Sequence, residues 1–215
     1  MTDLKMRSAE AALKYIDGHA IVGIGTGSTV NYFINALKTM QHKIDACVAS
    51  SKETERRLLA EGFTVFDLNS VDELPIYVDG ADEVDAHRAM IKGGGGALTR
   101  EKIIACVSKQ FICIVDETKL VQRLGVFPIA VEVLPIARSF VARELVQLGG
   151  DPVYRQGFVT DNGNIILDVF NLELHQLVNL EDSINTIPGV VENGIFAKRL
   201  ADTVIISGAD GIREI

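Results

Sequence analysis

The chain has 215 residues, 47 % hydrophobic and 23 % charged, and a net charge of −8, which suits one large or two small globular domains with a proper core. The acidic balance argues against nucleic acid and anionic membrane as partners, since both require a basic footprint, but it leaves room for a phosphorylated small molecule in a locally cationic pocket. No stretch approaches the ~20 apolar residues of a membrane span, the first residues "MTDLKMRSAEAALKYI" lack an apolar signal core, and the sparse cysteines Cys47, Cys106 and Cys113 form no CxxC pair, so the expectation is a cytoplasmic protein with reduced thiols.

In chain order, residues 3–16 carry Leu4, Ala9, Ala12, Leu13 and Ile16 at helical spacing. "AIVGIG" (20–25) reads as a strand and "STVNYFINALKTM" (28–40) as a helix, with Val30, Phe33, Ile34 and Leu37 on one face. A strand (44–50), a helix (52–62) stopped by Gly62, and strands at 64–68 and 75–80 follow. A glycine loop leads into a helix at 99–109, and "FICIVD" (111–116) is another buried strand. Strands alternating with helices give a parallel sheet covered on both faces.

The pattern then changes. "PIAVEVLP" (128–135) is a strand, 136–150 a helix, and "PVYRQGFVTDNGNIILDVF" two strands with a hairpin bend at "TDNGN". A short helix (180–189) and a strand (190–197) complete the order β-α-β-β-α-β, the ferredoxin-like split unit. "DTVIISG" (202–208) is most simply returned to the first sheet. The fold expected is α/β: a Rossmann-like parallel-sheet domain, 1–126 plus 198–215, with a small ferredoxin-like α+β domain, 127–197, inserted.

Ligands of open parallel sheets bind beyond the carboxyl ends of the strands, and the polar stretches of interest lie there. "GIGTGST" (23–29) fails the dinucleotide fingerprint, having Ser28 where the third glycine belongs. It remains a backbone turn with the hydroxyls of Thr26, Ser28 and Thr29 at a helix start, which suits either a phosphate cradle or plain N-capping. "YVDGADEVD" (77–85) places Asp79 and Asp82 three apart. Such carboxylates suit sugar hydroxyls, a metal or acid/base work, and equally a solvated turn; Glu83 and Asp85 read as solvated surface. "IKGGGGALTREK" (91–102) has Lys92 before four glycines and Glu101 in the first turn of the next helix. Bare backbone there can approach an anion closely, and Glu101 can also just complement the helix dipole. Lys119 follows the strand 111–116 as a fourth strand-end feature. The histidines His19, His42, His87 and His175 are scattered and show no metal-ligand spacing. Carboxylates and cations at one sheet edge suit a small, polyhydroxylated, anionic ligand such as a sugar phosphate.

At "GIGTGST", "VDGADEVD", "KGGGGALTREKIIA" and "ARSFVARELVQLGGDPVYRQGFVTDNGNIILDVF" the sequence resembles the ribose-5-phosphate isomerases of the bacterial A type, over essentially the whole chain. Gly96 is a small departure, at a place where alanine is common. The resemblance implies interconversion of D-ribose 5-phosphate and D-ribulose 5-phosphate in the non-oxidative pentose phosphate pathway, with no cofactor or required metal, by a homodimer. It implies Glu101 as general base and Lys92 as its neighbouring lysine. It further implies Asp79, Gly80, Ala81 and Asp82 as the acidic loop, and Thr26, Gly27, Ser28, Thr29, Gly93, Gly94, Gly95 and Lys119 as substrate-binding residues. The chemistry of an enediol isomerisation agrees: one carboxylate base, donors for the charge growing on oxygen, and an acid/base to open the sugar ring, Asp79 or Asp82. A sugar-phosphate sensor would give Glu101 no task, and a lactonase or deaminase of similar fold would want a well-placed histidine.

Overall fold

The computed structural model describes residues 2–215. In chain order the elements are α1 (Thr2–Ala11), β1 (Ile21–Ile24), α2 (Ser28–Leu37), β2 (Ala46–Ala49), α3 (Lys52–Ala60), β3 (Leu74–Asp79), β4 (Glu83–Val84), β5 (Met90–Ile91), α4 (Leu98–Val107), β6 (Ser108–Asp116), β7 (Ile129–Val133), α5 (Arg138–Gln147), β8 (Asp151–Tyr154), β9 (Ile165–Phe170), α6 (Leu177–Asn185), β10 (Val190–Asn193), β11 (Ile195–Phe196), β12 (Thr203–Gly208) and β13 (Gly211–Glu214). They fall into two compact units, residues 1–81, 100–120 and 201–215 in the first and residues 82–99 and 121–200 in the second.

The first unit is built on a sheet of order β13-β12-β6-β3-β1-β2. It is parallel throughout except for β13, which returns antiparallel on β12 through a turn pairing Gly208 with Gly211. The central strands are apolar runs because both faces are covered. On one face Val22, Ile24, Ile76, Val78, Ile112, Ile114 and Ile205 pack under Val30, Phe33, Ile34 and Leu37 of α2 and Ala9 of α1. Alternation sends Gly23 to the other face, where it leaves room for Tyr77, Leu74 and Ile104. The Tyr77 and Phe111 rings stack there with centroids 5.1 Å apart. "DTVIISG" does rejoin this sheet, beside β6.

The second unit holds an antiparallel sheet of order β10-β7-β9-β8, the β-α-β-β-α-β order with α5 and α6 as its helices. Val141 and Leu145 of α5 and Ile184 of α6 share a core with Ile129, Val131, Val133, Leu167 and Val169. A second, three-stranded sheet of order β11-β5-β4 belongs to the same unit.

Several sequence expectations need correction. The strand at 64–68 is reduced to an isolated bridge of Val65 to Cys47, and residues 68–70 turn into a 3-10 helix begun by Asp67, whose carboxylate accepts the Asn69 N–H. The strand at 190–197 is two strands, because Gly194 donates to Ala130 O on one side while its own carbonyl accepts from Lys92. A Cβ there would lie 2.2 Å from Lys92 O. Residues 82–99, grouped by sequence with the larger domain, belong to the second unit, as do 121–126 and 198–200. The reason is the pairing of β5 with β4 and with β11.

Candidate active site

In the first unit, β1 ends at Ile24 and the chain turns into α2. Gly25 N–H donates to Val78 O at 2.8 Å, which stitches the turn to β3. Thr26 N–H donates to Asp79 Oδ1 at 3.0 Å. Asp79 is the last residue of β3, fully buried, and its Oδ1 also accepts Gly80 N–H at 2.7 Å. Its Oδ2 accepts the Tyr77 hydroxyl. A buried carboxylate survives when hydrogen bonds replace its water, and here backbone N–H groups and a phenol do so. The Thr26 hydroxyl lies 2.7 Å from Ser50 Oγ and 2.9 Å from Ser51 Oγ. Thr54 closes the cluster by donating to Gly25 O at 2.7 Å. Gly27 precedes α2 at φ 119°, a conformation that favours glycine. Ser28, the first residue of α2, receives the Lys5 ammonium on its hydroxyl at 2.9 Å. The N-terminus of α2 thus has a cation beside it as well as the helix dipole, a combination suited to an anion.

Glu101 is in the first turn of α4 and 4 % exposed. Burial pushes the Tyr77 hydroxyl well above its usual pKa, and the charges of Asp79 and Glu101 push it further. The phenol therefore stays protonated and remains a donor to Asp79. Lys119 sits half-buried in the 3-10 turn after β6, which is capped by Asp116 accepting Thr118 N–H at 3.0 Å.

The second unit carries the other predicted residues. Lys92 is 3 % exposed, with its Nζ 5.5 Å from the centre of the Phe196 ring and its N–H on Gly194 O at 2.9 Å. Asp82 is half-buried, and its Oδ2 accepts Gly94 N–H at 2.8 Å. Asp79 and Asp82, paired in the sequence, fall in different units.

The glycine run has structural demands of its own. Gly93 and Gly96 have φ of 106° and 76°. A Cβ would meet Ala130 at 2.8 Å from Gly93, Asp82 Oδ1 at 2.7 Å from Gly94, and the Phe158 ring at 2.2 Å from Gly96. Gly96 N–H closes a turn on Gly93 O at 2.9 Å, so it and the Gly94 amide already have protein acceptors.

Sequence reading missed several participants. Lys5 gave no signal beyond a helical cation. Ser50, Ser51 and Thr54 reach Thr26 only through the fold. Glu83, read as surface, is 4 % exposed and accepts Gly125 N–H and Phe127 N–H, both at 2.7 Å. Its neighbour Asp85 accepts His87 N–H and Ala89 N–H at 2.9 Å, a local turn. Among the described residues no three His, Cys, Asp or Glu stand together as a metal site, and no helix is long and apolar enough to cross a membrane.

A family model described as ribose 5-phosphate isomerase A (phosphoriboisomerase A) matches residues 46–211. The ribose-5-phosphate isomerase A of Legionella pneumophila (strain Corby) is 66 % identical over 215 residues, which is 100 % of each chain. The crystal structure of ribose 5 phosphate isomerase A from Neisseria gonorrhoeae is 46 % identical with a TM-score of 0.97, covering 100 % of this chain and 96 % of that one. A D-ribose-5-phosphate isomerase in complex with phospho-erythronic acid is 38 % identical with a TM-score of 0.93, covering 99 % of this chain and 97 % of that one.

Proposed function

The chain belongs to the ribose 5-phosphate isomerase A family and is an aldose–ketose isomerase of D-ribose 5-phosphate and D-ribulose 5-phosphate; we propose that Glu101 is its general base. The observation that carries this role is a carboxylate 4 % exposed in the first turn of α4, a depth at which a glutamate is almost never found unless it is paired or functional.

The open-chain aldose offers its C2 proton to Glu101. The C2–H electron pair forms the C1=C2 bond of an enediolate and pushes charge onto O1. The protonated Glu101 returns the proton to C1 while C2–O2 becomes the carbonyl and the O2 proton passes to O1. Lys92 and the Gly95 N–H supply donors for the charged oxygens, each preaimed donor being worth on the order of 3 kcal/mol. The acid bound by the solved relative supports an enediolate, because its planar carboxylate carries paired oxygens much as the intermediate does. The phosphate is assigned to the turn 26–29 at the start of α2, with Lys5 and Lys119.

Ring opening is assigned to Asp82. Asp79 is fully buried with both oxygens occupied by Thr26, Gly80 and Tyr77, which suits it to holding the turn that receives the substrate. A homodimer working in the cytoplasm, in the non-oxidative pentose phosphate pathway and without a cofactor, completes the proposal. The family resemblance supports the dimer, and buried Cys47 and Cys113 thiols suit a reducing compartment.

The test is incubation of the metal-stripped protein with ribose 5-phosphate in D2O, followed by proton NMR. Ribulose 5-phosphate with deuterium at C1 is the expected product. Conversion without any exchange would point to a shielded proton or a hydride shift, and saturable binding without conversion would overturn the isomerase in favour of a sensor.

A further inference from the structure

Arg155 follows β8 and forks onto Asp168 of β9, Nε to Oδ2 at 2.8 Å and Nη2 to Oδ1 at 2.5 Å. The pair is 18 % and 17 % exposed, so the bidentate contact is well shielded from water. The guanidinium has donors beyond this fork. Nη1 donates to the carbonyls of Gly93 and Gly94, each at 3.2 Å, and Nη2 donates to Gly93 O at 3.2 Å. Its central carbon lies 5.4 Å from the centre of the Phe158 ring, the ring that packs against Gly96. One ion pair thus reaches successive carbonyls of the glycine turn.

A peptide unit is planar, with its C=O and N–H opposed. Holding Gly93 O therefore fixes Gly94 N–H, and that N–H donates to Asp82 Oδ2 at 2.8 Å. Holding Gly94 O fixes Gly95 N–H in the same way. A glycine run has little conformational preference of its own, and Gly94 and Gly95 are exposed, so the direction of these amides has to be imposed from outside. A cation on the carbonyl side also polarises each peptide, which strengthens its N–H as a donor. We propose that Arg155, aimed by Asp168, is a positioning residue that orients the Gly94 and Gly95 amides and, through Gly94, the Asp82 carboxylate. This rests on the reading of Asp82 and the glycine loop as parts of the substrate site.

The test compares Arg155→Met, Arg155→Lys and Asp168→Asn with the unaltered full chain, measuring kcat and KM for ribose 5-phosphate and amide hydrogen exchange over residues 93–96. A loop misplaced by about 1 Å costs on the order of 100-fold in rate, so Arg155→Met is expected to lose about that much kcat with KM within about threefold. Exchange at Gly94 is expected to quicken. Arg155→Lys keeps the charge and the stem but lacks the fork, and is expected to lose about tenfold; it decides the matter if Arg155→Met does not fold. Full kcat in Arg155→Lys, or a kcat loss with exchange of 93–96 unchanged, would overturn the proposal. Failure of the unaltered protein to convert ribose 5-phosphate would overturn the isomerase reading instead, with the exchange rates still deciding whether Arg155 holds the loop.

Discussion

The Asp79 carboxylate fills the space into which a side chain at Gly25 would grow: a Cβ on Gly25 would lie 1.9 Å from Asp79 Oδ1, the oxygen that also accepts Thr26 N–H. The second glycine of "GIGTGST" is therefore set by a buried carboxylate, with no need of a dinucleotide. Gly25→Ala must displace Asp79 or open the turn. Overpacking of this kind costs about 1–3 kcal/mol, and the misplaced turn is expected to lower kcat/KM by about 100-fold. Gly27 fails for a different reason: a Cβ there meets nothing within 4 Å, but its φ of 119° and ψ of 177° strain any side-chain-bearing residue. Gly27→Ala should cost about 1–3 kcal/mol in urea unfolding through backbone strain alone, and should weaken substrate binding as well because it lies in the turn assigned to the phosphate.

Glu101→Gln keeps the shape of the side chain and removes the base. General base catalysis contributes about 10²–10⁴-fold, so kcat should fall by that order while the melting temperature and KM stay close to those of the unaltered protein. Deuterium incorporation at C1 should fall in step with turnover. A variant that turns over near the normal rate would reject Glu101 as the base.

Gly93 and Gly94 are neighbours with different reasons for being glycine, and alanine at each should fail differently. Gly94 lies outside the left-handed region, so Gly94→Ala is permitted by its backbone, but its Cβ would press on Asp82 Oδ1 at 2.7 Å and Phe127 at 3.0 Å. The expected result is a kcat/KM loss of about 10–100-fold with little loss of stability. Gly93 has φ 106° and Ala130 at 2.8 Å, so Gly93→Ala should destabilise by about 1–3 kcal/mol. Kinetics paired with thermal melts separates the two.

The parts of the fold that were legible are those whose signal is local. The runs 75–80, 111–116 and 202–208 read as strands because a central parallel strand is buried on both faces and so is continuously apolar. β4 and β5 were not legible, because strands as short as Glu83–Val84 show no period and exist only through pairing with each other and, for β5, with β11; β11 reads in the sequence as the end of one continuous strand over 190–197. The same division holds in the site. Asp79 and Asp82 stand out together in sequence. Their difference, one buried against Tyr77 and Thr26 and the other half-buried on Gly94 N–H, depends on chain brought in from elsewhere. The glycine run read as a ligand loop, but the side chains of Ala130, Phe127 and Phe158 that require it lie far along the chain. Arg155 follows a strand and looks like any solvated cation until Asp168 and Gly93 are seen beside it.

Alkaline pH should expose buried groups that the folded chain holds protonated. Burial raises the Cys47 thiol to about 12, against an unfolded value of about 8.5. Burial and the charges of Asp79 and Glu101 raise the Tyr77 hydroxyl well above its ordinary value of 10.0. In each case the unfolded chain releases a proton that the folded chain keeps, so their stabilising contributions are fully present below the unfolded pKa and lost as pH rises toward the folded one. The loss should begin near pH ~8.5 for Cys47 and steepen near ~10 when Tyr77 joins, each group adding up to about 1.4 kcal/mol per pH unit to the slope. Urea unfolding from pH 7 to 11 measures it. Cys47→Ala should remove the earlier part of the slope and Tyr77→Phe the later part, the latter also loosening Asp79 by deleting its phenol donor. An unchanged slope in Tyr77→Phe would mean that the hydroxyl ionises in the folded protein as readily as in the unfolded chain, and would remove the basis for treating it as a permanent donor to Asp79.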